Sequence, residues 1–229
     1  MRTAVHIFLI VVIGLVIGLA LRQMRNQSQR QHTVTIKGPD GDIEVVIDEE
    51  QPTRVEAPPK PDLPEDANWV REFTLTERSG REVTSESLKG QPYVVSFFFT
   101  QCPSICIQQN QALKELADKF AGQDVKFLSI SVDAENDTPE ALREYAARFG
   151  ADPDQWLFLT TDDPIYIQRV GAEMFQVSAN LQHTERFILM NPEGDMEALY
   201  RWSDPRSLKR LEKDLQEMIA ANKTAKDAA

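Results

Sequence analysis

The feature that most constrains this chain is the run Tyr93-Val94-Val95-Ser96-Phe97-Phe98-Phe99. It is apolar apart from one serine and rich in β-branched and aromatic residues. Such a run predicts a strand buried on both faces. A strand of that kind lies inside a sheet that is covered on each side, as in α/β domains. The flanking pattern agrees. Trp69–Thr76 partly alternates and reads as a strand. Val125–Val132 and Trp156–Thr160 read as further buried strands. Arg186–Met190 and Met196–Trp202 read as a hairpin around the turn Asn191-Pro192-Glu193-Gly194. Helices are expected over Cys102–Phe120, from Thr138-Pro139-Glu140 to Phe149 with Gly150 as a stop, over Pro164–Phe175, and from Asp204-Pro205 to about Ala220. The expected fold is α/β, a mixed sheet flanked by helices.

The first 67 residues are different in kind. Ala4–Leu21 is an apolar run of 18 residues broken only by His6. As a helix it would span roughly 27 Å, close to the hydrocarbon thickness of a bilayer. It predicts a retained N-terminal transmembrane anchor over residues 1–25. A cleaved signal is the rival reading, with Arg2 ahead and Gly18-Leu19-Ala20 as the cleavage site. Arg22, Arg25, Arg30 and Lys37 follow the run, and by the positive-inside rule alone they would keep the following chain cytoplasmic. Residues 26–67 are expected to be a juxtamembrane segment and linker. Residues 33–47 suggest two short strands around Gly38-Pro39-Asp40-Gly41, although a lone hairpin is marginal in water. Residues 48–67 hold five prolines and seven carboxylates, which reads as a stiff polar tether. The folded domain is expected over 68–220, with a fraying tail over 221–229. The formal net charge of −11 argues against a nucleic-acid partner, because phosphates need a basic surface.

The chain has two cysteines and three histidines. Cys102 and Cys106 stand where the central strand ends and a helix begins. At i and i+4 they share a helix face. Free N–H groups and partial positive charge at a helix start favour thiolate. Open α/β sheets also place their ligands beyond the carboxyl ends of central strands. Two such sulfurs can close a disulfide or hold a soft metal, and the spacing permits either. His183 is the only histidine in the expected domain and lies in a polar loop before a strand. Two thiolates and one imidazole suit copper, whereas zinc would need a fourth ligand. Asp133, ending a strand nearby, is a candidate for orienting the site or for bracing a loop. Met174, Met190 and Met196 are soft groups that could ligate a metal, but the apolar segments around Met174 and Met190 point to core packing instead.

These residues carry a family resemblance. Phe99-Thr100-Gln101-Cys102-Pro103-Ser104-Ile105-Cys106 resembles the Phe-Thr-x-Cys-Pro-x-x-Cys motif of the Sco (SenC) copper proteins. Ser131-Val132-Asp133 with Asp137-Thr138-Pro139-Glu140, Trp156-Leu157-Phe158-Leu159-Thr160, and His183 with Asn191-Pro192-Glu193-Gly194 are similar to further family segments, in order, from about Phe73 to Ile219. The resemblance implies a thioredoxin-like fold and copper held by Cys102, Cys106 and His183. It implies a metallochaperone that assists assembly of the binuclear copper centre of cytochrome c oxidase, or acts there as a thiol reductant. Partners would be the oxidase's copper-bearing subunit or another copper chaperone, and a thiol reductant. The soluble domain would sit on the extracytoplasmic side of a membrane, which the basic residues after the anchor permit if they lie beside anionic lipid. Gln182 stands where the family often has an aspartate, Ile107 where proline is common, and Asn191 where aspartate is usual. The competing reading is a membrane-anchored thiol-disulfide oxidoreductase or peroxidase using Cys102 and Cys106. Redox thioredoxins carry a cis-proline opposite their cysteines, and the loop before Arg186 contains no proline.

Overall fold

The structure is a computed structural model that describes residues 53–58, 68–178 and 185–227, together with the backbone pairing of 32–38 with 41–47. The chain divides into two compact units, Met1–Pro52 and Thr53–Ala229. In the first, β1 (His32–Gly38) pairs antiparallel with β2 (Gly41–Ile47), with Gly38 opposite Gly41. The expected anchor over Ala4–Leu21 lies outside the described residues. Among the described residues, no helix is long and apolar enough to cross a membrane.

The second unit is built on a mixed sheet. Its strands are β3 (Val55–Glu56), β4 (Thr74–Glu77), β5 (Glu82–Thr84), β6 (Tyr93–Phe98), β7 (Lys126–Ser131), β8 (Trp156–Thr160), β9 (Arg186–Met190) and β10 (Met196–Arg201). Their spatial order is β3-β10-β9-β6-β7-β8-β4-β5. β6, β7 and β8 run parallel, and the other pairs are antiparallel. The helices are α1 (Ile105–Lys119), α2 (Pro139–Ala147), α3 (Pro164–Arg169) and α4 (Pro205–Asp227). The parallel strands are joined through α1 and α2, which is why β6 and β7 are apolar on both faces.

Alternation along β6 sorts the core into two layers. Val94 and Phe98 pack with Leu113 and Leu116 of α1, Leu142 and Tyr145 of α2, and Leu211 and Leu215 of α4. Tyr93, Val95 and Phe97 face the other way, onto Ile167 of α3, Val170 and Phe175. Met190 is buried in that second layer, and Met174 and Met196 pack against it. Met190 is therefore a core residue, and Met174 and Met196 line that core's edge.

Four local differences from the expected elements have physical causes. The helix after β6 begins at Ile105 rather than Cys102, because residues 99–104 form a turn. The helix from Pro164 widens into a π turn over Val170–Met174. There the chain entering at Trp69 and Val70 is bonded to Glu173, through the Trp69 indole N–H (3.3 Å, to its carbonyl) and the Val70 N–H (2.5 Å, to its carboxylate). The last helix continues to Asp227, because Asn222 Nδ2 donates to the Gly90 carbonyl (3.0 Å) and Lys226 pairs with Asp124 (2.5 Å). Finally, Val55–Glu56 forms an edge strand on β10 in a stretch whose composition predicts a tether. Arg54 holds it there, with ion pairs to Asp214 (3.0 Å) and Glu197 (2.9 Å).

Candidate metal centre

The site is built at the carboxyl end of β6. After Phe98 the chain turns back on itself, and the Cys102 N–H donates to the Phe99 carbonyl at 3.3 Å. α1 then starts with free N–H groups that need acceptors. Ser104, at the N-cap position, makes no side-chain capping bond. The Cys102 sulfur takes that role and accepts the Cys106 N–H at 3.3 Å. The turn that a capping side chain usually closes is therefore closed by a thiol, and this brings Cys102 beside the helix face that carries Cys106. Neither cysteine is in a disulfide, and each is 2% exposed.

Burial decides the resting state of Cys106. It pushes the Cys106 thiol up to about 12, and the hydrogen bond with Cys102 adds to this, against a smaller opposing effect from a backbone hydrogen bond at Phe99. The sequence-based expectation that the helix start would favour thiolate is overridden at Cys106 by desolvation. A soft metal binding here therefore displaces a proton.

Asp137 braces the turn from behind. It is 1% exposed. Its carboxylate accepts from the Thr100 N–H (3.0 Å), the Thr100 hydroxyl and the Ser131 hydroxyl (2.5 Å). Burial raises its pKa, and these hydrogen bonds only partly offset the rise. Sequence reasoning gave Asp137 no role. The available signal was Thr138, which alone caps α2 by accepting the Ala141 N–H (3.3 Å), leaving Asp137 free to face the cysteine turn. Asp133 turns out to be the loop brace. Its carboxylate accepts from Asn136 Nδ2 (2.9 and 3.0 Å) and from the Asn136 N–H (3.2 Å). Asn191 serves its turn in the same way, accepting the N–H groups of Glu193 (3.1 Å) and Asp195 (2.8 Å).

His183 lies outside the described residues. Among the described residues, no group of three His, Cys, Asp or Glu side chains is placed to hold a metal. The antiparallel register sets Ile188 opposite Val95, so β9 enters the sheet, at Arg186, from the end of β6 that leads to Cys102. Two adjacent soft sulfurs at a helix start fit a thiophilic metal such as copper(I).

Comparison with known proteins shows the family. The SCO1/SenC family model matches residues 61–220. The chain belongs to the SCO1/SenC family. The SCO1 protein homolog of Bacillus subtilis is 32% identical over 134 residues, which is 55% of this chain and 69% of that protein. The mitochondrial protein SCO2 of Saccharomyces cerevisiae is 28% identical over 159 residues, and the matched region spans about half of it, 53%, and 64% of this chain. Among solved structures, BsSco superposes with a TM-score of 0.60 at 28% identity, covering 66% of this chain and 94% of its own. BsSco is a member of the Sco family of cytochrome c oxidase assembly proteins in which a disulfide switch was identified. Arabidopsis thaliana ScoI, solved with copper bound, superposes with a TM-score of 0.51 at 26% identity, covering 64% and 97%. The fold of this chain is accordingly the thioredoxin-like fold of Sco proteins.

Proposed function

We propose that this SCO1/SenC protein binds one copper ion and passes it to the copper centre of a cytochrome c oxidase during assembly. Cys102 and Cys106 would supply two sulfur ligands and His183 the third. The N-terminal run Ala4–Leu21 would anchor the chain in a membrane, with the sheet domain on the extracytoplasmic side. The observation that carries this reading is the pair of buried cysteines at the start of α1, with the Cys102 sulfur accepting the Cys106 N–H. Copper-bound relatives with the same fold support it. The recipient would be the oxidase's copper-bearing subunit, or a second copper chaperone in the same relay. Its thiolates would displace Cys102 and Cys106 stepwise, which an open two-sulfur, one-imidazole set allows.

The same two sulfurs could instead act as a dithiol reductant, and BsSco, a relative with a disulfide switch, keeps that reading in play. Both uses need the pair reduced at the start of a cycle.

The test is copper stoichiometry on the reduced full-length protein in detergent. The wild type should hold one Cu(I) per chain. Cys102→Ser and Cys106→Ser should each abolish tight binding, and His183→Ala should weaken it about ten- to a hundredfold. Wild-type-like binding by either cysteine variant would remove the copper reading. Unchanged binding in His183→Ala would remove His183 from the ligand set.

A further inference from the structure

Beneath the first turn of α1, buried polar side chains form one connected set. Asn110 Nδ2 donates to the Cys106 carbonyl at 2.9 Å and to the Tyr145 hydroxyl at 3.3 Å. Asn110 Oδ1 accepts from the Ser129 hydroxyl at 3.0 Å. The Ser129 oxygen accepts the Trp156 indole N–H at 2.9 Å and lies 3.4 Å from the Ser96 hydroxyl. Asn110, Ser129 and Ser96 are fully buried, and Trp156 and Tyr145 are at most 2% exposed.

An asparagine inside a helix and inside a core is an expensive choice. It has below-average helix propensity, and each polar atom must find a partner. The neighbouring core positions Leu113 and Leu116 show what the helix face would otherwise carry. The Cys106 carbonyl lies in a regular helix and has a backbone partner there, so the Asn110 bond is not needed to satisfy it. What the bond adds is position. It ties the backbone of Cys106 to β7 through Ser129, to β8 through Trp156, and to α2 through Tyr145.

We propose that Asn110, braced by Ser129 and Tyr145, is a positioning residue that holds Cys106 in its dithiol geometry and thereby sets the balance between dithiol and disulfide in the Cys102–Cys106 pair. The inference rests on the sulfur-centred reading of the site given above. Forming the disulfide brings the sulfurs to about 2.05 Å, so the first turn of α1 must move. A Cys106 carbonyl tied through Asn110 to two strands and a second helix resists that movement, and the network favours the reduced, metal-ready form.

The exchange is written with oxidised dithiothreitol. Its ring S–S bond breaks as the Cys102–Cys106 S–S bond forms. Two electrons and the two thiol protons pass from the protein to the reagent's sulfurs.

The experiment equilibrates full-length protein with dithiothreitol of varied redox ratio at fixed pH and reads the oxidised fraction by mass after alkylation. Thermal stability and Cu(I) stoichiometry are measured on the same preparations. Asn110→Leu should shift the exchange constant about tenfold toward disulfide, equivalent to about 30 mV. Tyr145→Phe, which removes one hydroxyl and keeps the ring, should shift it the same way by a smaller factor and decides the matter if the leucine variant does not fold. Ser96→Ala, at the far end of the set, should leave the constant unmoved. A wild-type constant in Asn110→Leu with only a lower melting temperature would reduce the network to a structural role and overturn the inference. A constant that moves equally in Ser96→Ala would also overturn it. Failure of the wild type to form the disulfide at any ratio would do the same. Copper stoichiometry separates the layers: wild type binding one Cu(I) with an unmoved variant constant sinks only the positioning role, whereas no copper in the wild type sinks the reading beneath it.

Discussion

The Asp137 carboxylate accepts the backbone N–H of Thr100 at 3.0 Å, and so ties the loop after β7 to the turn after β6 that carries Cys102. Thr100 precedes Cys102 by two residues, and its hydroxyl bonds to the same carboxylate. The position of the first sulfur therefore depends on a side chain from a different strand-to-helix connection. Asp137→Asn puts an amide N–H against at least one of the donors now facing the carboxylate. The expected loss is about 2 kcal/mol of stability, with weaker Cu(I) binding in a competition titration. A variant as stable as wild type, binding copper equally well, would show that the turn holds itself.

Copper affinity should depend on pH in a definite direction. Burial holds the Cys106 thiol protonated up to about 12. Binding as thiolate must release that proton, so affinity should increase about tenfold per pH unit for each proton displaced, and the rise should continue through pH 9. A Cu(I) competition series from pH 6 to pH 9 that came out flat would mean the thiols are already ionised in the metal-free protein.

Asp214 should make the sheet domain acid-sensitive. It is 6% exposed. It accepts the Tyr200 hydroxyl (2.6 Å) and pairs with Arg210 (2.9 Å) and Arg54 (3.0 Å). Burial raises its pKa, but those partners more than compensate and hold the carboxyl below its usual range. A group depressed in the folded state stabilises the fold above its unfolded pKa, about 3.9 for aspartate. That contribution is lost as pH falls through the folded value. Wild type should lose stability steeply below about pH 4, and Asp214→Asn should flatten that part of the curve. Asp214→Ala at neutral pH should cost about 3 kcal/mol, since it removes the buried carboxylate shared by Arg54, Arg210 and the Tyr200 hydroxyl.

The π turn should be anchored by Glu173. Its carboxylate accepts the Val70 N–H and pairs with Arg169 at 2.7 Å. In Glu173→Ala, hydrogen exchange at the Val70 amide should accelerate at least about tenfold, while Phe97 and Ile188 amides keep their protection. Equal acceleration everywhere would instead indicate global destabilisation.

The sequence was most informative where burial writes a pattern. β8 and β9 fall on the residues expected of them, and β6 ends one residue early, because continuous apolar runs between turn residues leave few alternatives. β3 left no such trace. Two residues with no apolar pattern become a strand because β10 offers an open backbone edge, and because Arg54 reaches Asp214 far along the chain. At the site, the pairing of Cys102 with Cys106 followed from a strand ending where a helix begins. The raised thiol did not follow, because a thiol's pKa depends on what covers it. Asn110 was the hardest to foresee. A polar residue on a helix reads as solvent-facing, and only the tertiary placement of Ser129 and Tyr145 turns it inward. His183 was named from sequence and lies outside the described residues.

The edge strand at Val55–Glu56 has a practical consequence for anyone shortening this protein. A fragment begun at Asn68 looks sensible from composition, since it removes the proline-rich stretch. It would also remove the partners of Ala198 and Leu199, leaving the outer backbone of β10 open. Exposed edges of that kind recruit a strand from another molecule. Such a fragment is expected to self-associate with rising concentration, whereas one begun at or before Thr53 carries its own cover and stays monomeric.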